Sequence, residues 1–328
     1  MYMPAHLLPV LTAARPRNGP GTQDKHVSST MMKAEMDADT VDYSDHVWRR
    51  RLRSIKSVDD LVADVFALLK STAQLERTVF VYSSDHGYHS GTWSVPYCKM
   101  LPYEEDVRIP MFVVAPKTPS GGEQQAPSFG AAKVVDGLVL NIDFAPAFLD
   151  LAGAPKSKTD AMDGVSWVPL LKAKHAGEAS AQAKTRSDFL IEYWPISQTG
   201  VDVQRSSYGT DGWCTDDDVK RSRASCPTID ATVDSVNNTW ACLRTLDTSK
   251  ATTVSEDGNS EENSIFCEFF QGFGGRNQSA PNFHEYYDLN EDKWQLRNGA
   301  SALPKARFAA LTARLQALMS CSGADCRT

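Results

Sequence analysis

The chain has 328 residues, enough for one large domain or for one domain with a smaller companion, and 41% of them are hydrophobic, enough for a sizeable core. A formal net charge of -7 argues against a general nucleic-acid-binding surface, which needs excess Lys and Arg to neutralise phosphates. No run of the sequence approaches the ~20 apolar residues that a membrane-spanning helix needs. We therefore expect a globular protein with no nucleic-acid partner and no membrane span.

The start of the sequence does not have the pattern of a leader peptide. The apolar stretch at residues 7–11 (LLPVL) is short, contains a proline and follows no basic stretch. We therefore expect the sequence to begin inside a longer protein. The basic run at residues 49–53 (RRRLR) is more typical of a solvated helix face than of a polyanion site.

Cysteines and glycosylation signals cluster in the second half of the chain. Of seven cysteines, all except Cys98 lie between residues 214 and 326, and the N-x-S/T acceptors at residues 237–239 (NNT) and 277–279 (NQS) lie in the same part. This combination favours a secretory or lysosomal route, where disulfides and N-glycans form. The absence of a CxxC pair in the sequence argues against a zinc site.

The first predicted elements are a helix and the strand that follows it. Residues 1 to about 45 show no sustained period and are predicted to be loop. Ser57 is a good N-cap, acidic residues suit the turn after it, and apolar residues then recur at helical spacing. The β-branched and aromatic run at residues 78–82 (TVFVY) predicts a buried strand that ends in the polar turn SSDHG.

Further along, a second strand is predicted at residues 109–114 and a helix at 142–151, which Gly153 and Pro155 would end. Helix, apolar strand and polar turn are the pattern of an α/β sheet, where ligands bind beyond the carboxyl ends of the strands. Beyond Arg186, strands at 189–193, 240–244 and 285–289 and a closing helix at about 304–319 predict a smaller antiparallel subdomain. We expect a division into residues 1–185 and 186–328.

The turn after the first strand concentrates residues that can carry chemistry. Residues 84–91 (SDHGYHSG) hold one carboxylate and two imidazoles between glycines. Asp offers oxygen to Ca²⁺ or Mg²⁺, and His can be a ligand, an acid or a hydrogen-bond donor to sulfate or phosphate. An ordinary Asp turn with incidental histidines accounts for the spacing equally well.

Several longer blocks of the sequence carry a resemblance to a known family. The two main blocks are residues 82–91 (YSSDHGYHSG) and 99–110 (KMLPYEEDVRIP). Further blocks occur in the family's order: 57–62 (SVDDLV), 141–146 (NIDFAP), 162–164 (MDG), 287–289 (YDL) and 321–328 (CSGADCRT). Together they resemble the sulfatase family, and the last block is distinctive of the branch of N-acetylglucosamine-6-sulfatases and extracellular heparan endosulfatases. The resemblance covers nearly the whole chain and implies an α/β fold, a partial sulfatase sheet of the alkaline-phosphatase-like type with helices.

The resemblance also implies roles for individual residues. Asp85 would be a Ca²⁺ ligand, and His86 stands where the family often has Asn, so it would bind the metal or contact the sulfate. Lys99 would bind the sulfate group and steady the leaving oxygen. The resemblance also gives roles to three further histidines. His6, in residues 4–9 (PAHLLP), would donate a proton to the leaving alcohol, and His26, in residues 24–26 (DKH), would lie on the substrate side. His89 would line the pocket.

The implied function is hydrolysis of a 6-O-sulfate on glucosamine or N-acetylglucosamine in heparan or keratan sulfate, a glycosaminoglycan partner. Sulfatases of this type use a formylglycine made in a C/S-x-P-x-R motif, which this sequence does not contain. The resemblance places the formylglycine and two further metal-binding Asp residues in an amino-terminal part that is missing here. We therefore expect the Ca²⁺ site to be incomplete and the chain alone to be inactive. A non-enzymatic sulfatase-like fragment or pseudoenzyme, and a phosphate-ester hydrolase of the alkaline-phosphatase superfamily, remain alternatives.

Disulfide pairing is predicted from proximity and expected strand pairing. The pairs are Cys214 with Cys226, Cys242 with Cys267 and Cys321 with Cys326, which leaves Cys98 free.

Overall fold

The computed structural model describes residues 24–26, 38–90, 97–116, 134–135, 137–176, 186–194, 238–246, 262–270 and 280–327. The helices of these residues are α1 (Ala38–Ser71), α2 (Glu104–Val107), α3 (Phe144–Leu151), α4 (Val168–Ala176) and α5 (Lys305–Ser320). The strands are β1 (Phe80–Ser83), β2 (His89–Ser90), β3 (Tyr97–Cys98), β4 (Met111–Val114), β5 (Asp188–Tyr193), β6 (Thr239–Leu246), β7 (Asn263–Phe270) and β8 (Phe283–Asp288). The mixed α/β class expected from the sequence is confirmed.

The small sheet of β1 and β4 supports the turn that holds Asp85. Its register pairs Phe80 with Val114 and Ser83 with Met111, so the two strands run antiparallel. The repeated helix–strand pattern favours parallel pairing, but parallel strands need a long crossover. In the described part of the connection between them, the only helix is α2, with four residues. The sheet packs against α3 and α4 around a core of Ala147, Trp167, Val168 and Leu170.

The second sheet is a meander of four antiparallel strands in the order β5-β6-β7-β8. Alternate side chains cover its two faces, as the two-residue period of a strand requires. One face packs on α5, through Leu243 and Phe266 against Leu315, among others. The side chains of the opposite face, which include Trp240 and Phe269, pack around buried side chains of residues 101–103. The segment that follows Lys99 is therefore part of this sheet's core.

The helix α1 differs most from the sequence prediction. It begins at Ala38 and runs for 34 residues, so the expectation of loop is wrong for residues 38–45 and Ser57 is an interior residue rather than an N-cap. Acidic residues in the first two turns suit the positive end of the helix dipole, and no Gly or Pro interrupts the run. The aromatic ring of Phe66 lies 5.0 Å from that of Phe80, which attaches α1 to β1. Neither α1 nor any other described helix is long and apolar enough to cross a membrane.

Two of the predicted disulfides are confirmed. Cys242 and Cys267 are direct partners in the register of β6 and β7 and form a buried disulfide between these strands. Cys321 and Cys326 form a second one in the carboxy-terminal segment. The predicted pair of residues 214 and 226 lies outside the described residues. The division at residue 185 stays a prediction. Residues 101–103, which belong to the first part, contribute side chains to the core of the second sheet.

Candidate functional site

The turn after β1 projects Asp85 away from the sheet. Ser83 ends the strand and donates its Oγ to the carbonyl of Pro110 at 3.0 Å. Ser84 donates its Oγ to the carbonyl of His86 at 2.9 Å, which bends the backbone immediately beyond the strand. The side chain of Asp85 is 80% exposed as a result. A carboxylate at this exposure can accept a ligand or a cation without a large desolvation cost.

Backbone contacts hold the other side of this turn against α2. The N–H of Gly87 donates to the carbonyl of Asp106 and the N–H of Tyr88 to that of Glu105, both at 2.7 Å. A Cβ on Gly87 would lie 1.9 Å from the carbonyl oxygen of Glu105, so only glycine permits this approach. The turn and the segment after Lys99 are thus one packed unit.

Asp85, His86 and Lys99 form the centre of the candidate site. The Nε2 of His86 lies 3.0 Å from the Oδ2 of Asp85 and 2.6 Å from the Nζ of Lys99. The Nδ1 of His86 lies 2.6 Å from the carbonyl oxygen of Gly87. A carbonyl only accepts and an ammonium only donates, so Nδ1 carries the proton and Nε2 is the acceptor. The Nε2 of His86 therefore accepts from the ammonium of Lys99, and the carboxylate of Asp85 lies beside the same nitrogen.

The charges of this cluster act on the carboxyl of Asp85. Slight desolvation is the largest single influence and raises its pKa. The electrostatic interaction with His86, hydrogen bonds from the backbone N–H groups of Asp85 and His86, and the charge of Lys99 together outweigh it, so that the pKa lies below its ordinary value. Asp85 is therefore a carboxylate at neutral pH, ready to attract cations.

The cluster does not by itself fit a calcium ion. Calcium takes about six to eight oxygen ligands, whereas this cluster offers the carboxylate of Asp85 and one ring nitrogen of His86. Among the described residues, no group of three or more His, Cys, Asp or Glu side chains is arranged to hold a metal. We therefore assign no step of a reaction to a metal.

Asn141 is a further member of the site that the sequence did not single out. Its Nδ2 donates to the backbone carbonyl of Asp85 at 2.7 Å. The 3-10 turn Asn141–Asp143 holds it there, because the buried carboxylate of Asp143 accepts from the N–H groups of Leu140 and Val165, each at 2.8 Å. The only sequence signal was its position in the block NIDFAP.

His89 lies beside the cluster but is fully buried. Its Nδ1 lies 2.9 and 2.8 Å from the two carboxylate oxygens of Asp106, and its side chain is 1% exposed. Asp106 was also not singled out, and its only sequence signal was its position in the block KMLPYEEDVRIP. The role of His89 in lining the pocket stays a prediction.

His26 lies in the core of the second sheet. Its ring stacks on that of Phe269 at 4.3 Å, and its backbone N–H donates to the buried carboxylate of Glu285 at 2.6 Å. The neighbouring Lys25 donates from Nζ to the hydroxyl of Tyr287 at 2.8 Å. Burial lowers the pKa of Lys25 to about 8 and that of His26 to about 4. The substrate-side role of His26 stays a prediction, and His6 lies outside the described residues.

Comparison with known proteins finds similarity to sulfatases. Residues 14–154, which include Asp85, His86 and Lys99, match the family model described as Sulfatase. The resemblance to the sulfatase family is confirmed. An N-acetylglucosamine-6-sulfatase of Bos taurus is 32% identical over 305 residues, which cover 93% of this chain and 46% of that sulfatase. An extracellular sulfatase homologue of Drosophila melanogaster is 38% identical over 157 residues, which cover 48% of this chain and 13% of the other.

The chain thus spans about half the length, or less, of these sulfatase relatives. Among solved structures, a protein in complex with its substrate D-glucosamine-2-N,6-O-disulfate aligns over 81% of this chain and 38% of its own, with 21% identity and a TM-score of 0.45. A likeness at this level supports no conclusion about the function of the sulfatase-like chain.

Proposed function

We propose that this chain is the part of a sulfuric ester hydrolase that binds the sulfate group, and that its substrate is a 6-O-sulfate on N-acetylglucosamine or glucosamine in heparan or keratan sulfate. The observation that carries the proposal is the Lys99 ammonium, held 2.6 Å from the Nε2 of His86 in a segment that matches the sulfatase model. The name of the Bos taurus relative, an N-acetylglucosamine-6-sulfatase, supports the sugar and the position of the ester.

Lys99 would bind an oxygen of the sulfate group. During hydrolysis of a sulfate ester, negative charge grows on the sulfate oxygens and on the departing alkoxide, and a fixed ammonium stabilises that charge most in the transition state. The Nε2 of His86 accepts from the ammonium and holds it in place from one side. The ammonium is therefore oriented before a ligand arrives.

Asp85 would have a second role, as a contributor to a cation site that residues beyond the described part complete. Asp85 would be the ligand that this chain contributes to a Ca²⁺ ion there, with His86 beside it. His6 would donate the proton to the leaving alcohol. The two disulfides and the acceptor sequences for N-glycans support a secretory or lysosomal route.

The test measures binding and hydrolysis separately. Binding of N-acetylglucosamine 6-sulfate to the chain would be followed by isothermal titration calorimetry, and sulfate release by ion chromatography. Lys99→Ala should weaken binding about tenfold, because a charge-assisted hydrogen bond is lost. Lys293→Ala is the matched control, since the Lys293 ammonium lies over the ring of Trp294, on the second part of the chain. It should bind like the wild type.

The outcomes separate the alternatives. Binding without sulfate release is expected of this chain alone, because its sequence contains no formylglycine motif. Absence of sulfate release from a longer protein that contains both this chain and that motif would support the alternative of a catalytically inactive sulfatase-like protein. Tighter binding or faster hydrolysis of N-acetylglucosamine 6-phosphate would replace the sulfatase proposal with a phosphate-ester hydrolase. Equal binding by the Lys99 and Lys293 variants would refute the role of Lys99.

A further inference from the structure

One buried carboxylate touches both halves of the candidate site. Asp106 is 4% exposed, and its two oxygens lie 2.9 and 2.8 Å from the Nδ1 of His89, which belongs to the turn of Asp85 and His86. The same carboxylate accepts the backbone N–H of Leu101, two residues beyond Lys99, at 3.0 Å. A buried carboxylate needs such donors to offset its desolvation, so both contacts are firm constraints.

The backbone beside Lys99 is also fixed from the second sheet. Met100 has φ of +90°, a conformation that a residue with a side chain rarely adopts without support from its surroundings. That support comes from Asn238 and Trp240, whose side-chain N–H groups donate to the carbonyl of Met100 at 3.1 Å each. The position of Lys99 therefore depends on the two hydrogen bonds to the carbonyl of Met100 and on the hydrogen bond from Leu101 to Asp106.

We propose that Asp106 is a positioning residue that sets the distance between His86 and Lys99, and that His89 acts through its Nδ1–H as the other end of this link. The importance of this role for catalysis rests on the proposed function, whereas the distance between His86 and Lys99 is a property of the chain without any ligand. It gives His89 a role different from contact with the substrate.

The two nitrogens of His89 separate these roles. Nδ1 faces Asp106, whereas Nε2 is buried and has no hydrogen-bond partner among the described residues. An Asn side chain can place its amide N–H near the position of Nδ1, and a Gln side chain can reach the position of Nε2. His89→Asn therefore keeps the link to Asp106 and removes Nε2, while His89→Gln keeps a polar group at Nε2 and removes the link.

The test compares the wild type with His89→Asn, His89→Gln and Asp106→Asn. The main measurement is the nuclear Overhauser effect between the ring of His86 and the side-chain methylenes of Lys99, which requires no ligand. We expect this signal in the wild type and in His89→Asn, and its loss in His89→Gln and in Asp106→Asn. The Tm of each variant, from circular dichroism, shows that it is folded.

Binding of N-acetylglucosamine 6-sulfate gives an independent second measurement. His89→Gln should weaken it about tenfold and His89→Asn about twofold at most. The reverse order, with His89→Asn the weaker binder, would overturn the proposal and make Nε2 a ligand contact. A His86–Lys99 signal that survives in every folded variant would overturn it as well. Absence of binding by the wild type with the expected signals intact would refute the proposed function while the positioning role stands.

Discussion

The side chain of Asn141 donates a hydrogen bond of 2.7 Å from Nδ2 to the backbone carbonyl of Asp85. This bond joins the 3-10 turn that precedes α3 to the turn that follows β1, two segments separated by 56 residues in sequence. The carboxylate of Asp85 is exposed, and this bond anchors the backbone that carries it, in addition to the contact of the carboxylate with His86.

Removing this anchor should affect ligand binding more than folding. Asn141 is exposed, so Asn141→Ala should change the free energy of unfolding by only about 0.5–1.5 kcal/mol. Asn141→Asp should weaken binding of N-acetylglucosamine 6-sulfate further, since a carboxylate would face the carbonyl of Asp85. Calorimetric titration of both variants is the measurement, with the exposed Gln316→Ala on α5 as control. Binding that is unchanged in Asn141→Asp would contradict the anchor.

Gly87 offers a test of the contact between the site turn and α2. In Gly87→Ala the new Cβ would lie 1.9 Å from the carbonyl oxygen of Glu105, so the turn must move and we expect a loss of about 2 kcal/mol or more in unfolding free energy. In the control Gly299→Ala the nearest atoms, of Tyr286, are 3.5 Å away, an ordinary contact. Urea unfolding of the two variants measures the difference. Similar stability of both would show that the turn is not constrained at Gly87.

The sequence predicted the elements with strong local signals. β-Branched and aromatic runs located β1 and β4, and Gly153 ended α3 as expected, in a left-handed conformation with φ of +70°. The start of α1 was missed because Ser57 looks like an N-cap from its neighbours alone, whereas a helix without Gly or Pro continues past such a signal. β7 was not predicted, although residues 263–270 (NSIFCEFF) contain the same kind of apolar and aromatic run.

The candidate site was predictable only in part, because contacts between distant segments of the chain bring some of its residues into place. Asp85, His86 and Lys99 stand in recognisable blocks, and the structure brings all three together. Asp106 and Asn141 act through contacts across 17 and 56 residues, which no local pattern reveals. Spacing along the chain shows which groups could react, but only the fold shows which groups hold them.

The carboxy-terminal segment should stabilise the loop before α4. Arg327 donates from Nε and Nη2 to the carbonyl of Met162, and from Nη2 to that of Thr159 at 2.5 Å. The N–H of Gly323 donates to Asp163 at 2.6 Å. Charged donors to several carbonyls at once contribute about 1.5–3 kcal/mol, so Arg327→Ala should lower the free energy of unfolding by that amount in urea titrations.

Two comparisons make the Arg327 prediction specific. Arg297 is exposed, and Arg297→Ala should leave stability within about 0.5 kcal/mol of the wild type. Reduction of the Cys321–Cys326 disulfide should lower the free energy of unfolding less in Arg327→Ala than in the wild type, because both changes release the same segment. Fully additive losses would indicate that the disulfide and Arg327 stabilise separate regions.

Acid stability provides a test of the burial of His26. Desolvation lowers the pKa of His26 from 6.5 to about 4, so between these pH values the folded state binds fewer protons than the unfolded chain. The free energy of unfolding therefore falls as the pH decreases from 6.5 towards 4, by about 2 kcal/mol from this group between pH 7 and pH 5. His26→Phe keeps a ring to stack on Phe269 and keeps the backbone donor to Glu285, but it cannot titrate.

Between pH 7 and pH 5, the free energy of unfolding of the wild type should consequently fall by about 2 kcal/mol more than that of His26→Phe, as measured by urea unfolding. His284→Phe is the matched control: burial also lowers the pKa of His284, but its side chain is 27% exposed, so its removal should flatten the acid response less. Because both variants retain the buried Glu268 and Glu285, the differences from the wild type isolate the two histidines. An acid response in His26→Phe as steep as that of the wild type would mean that His26 reaches solvent in the folded protein, which would favour its predicted place on the substrate side over its place in the core.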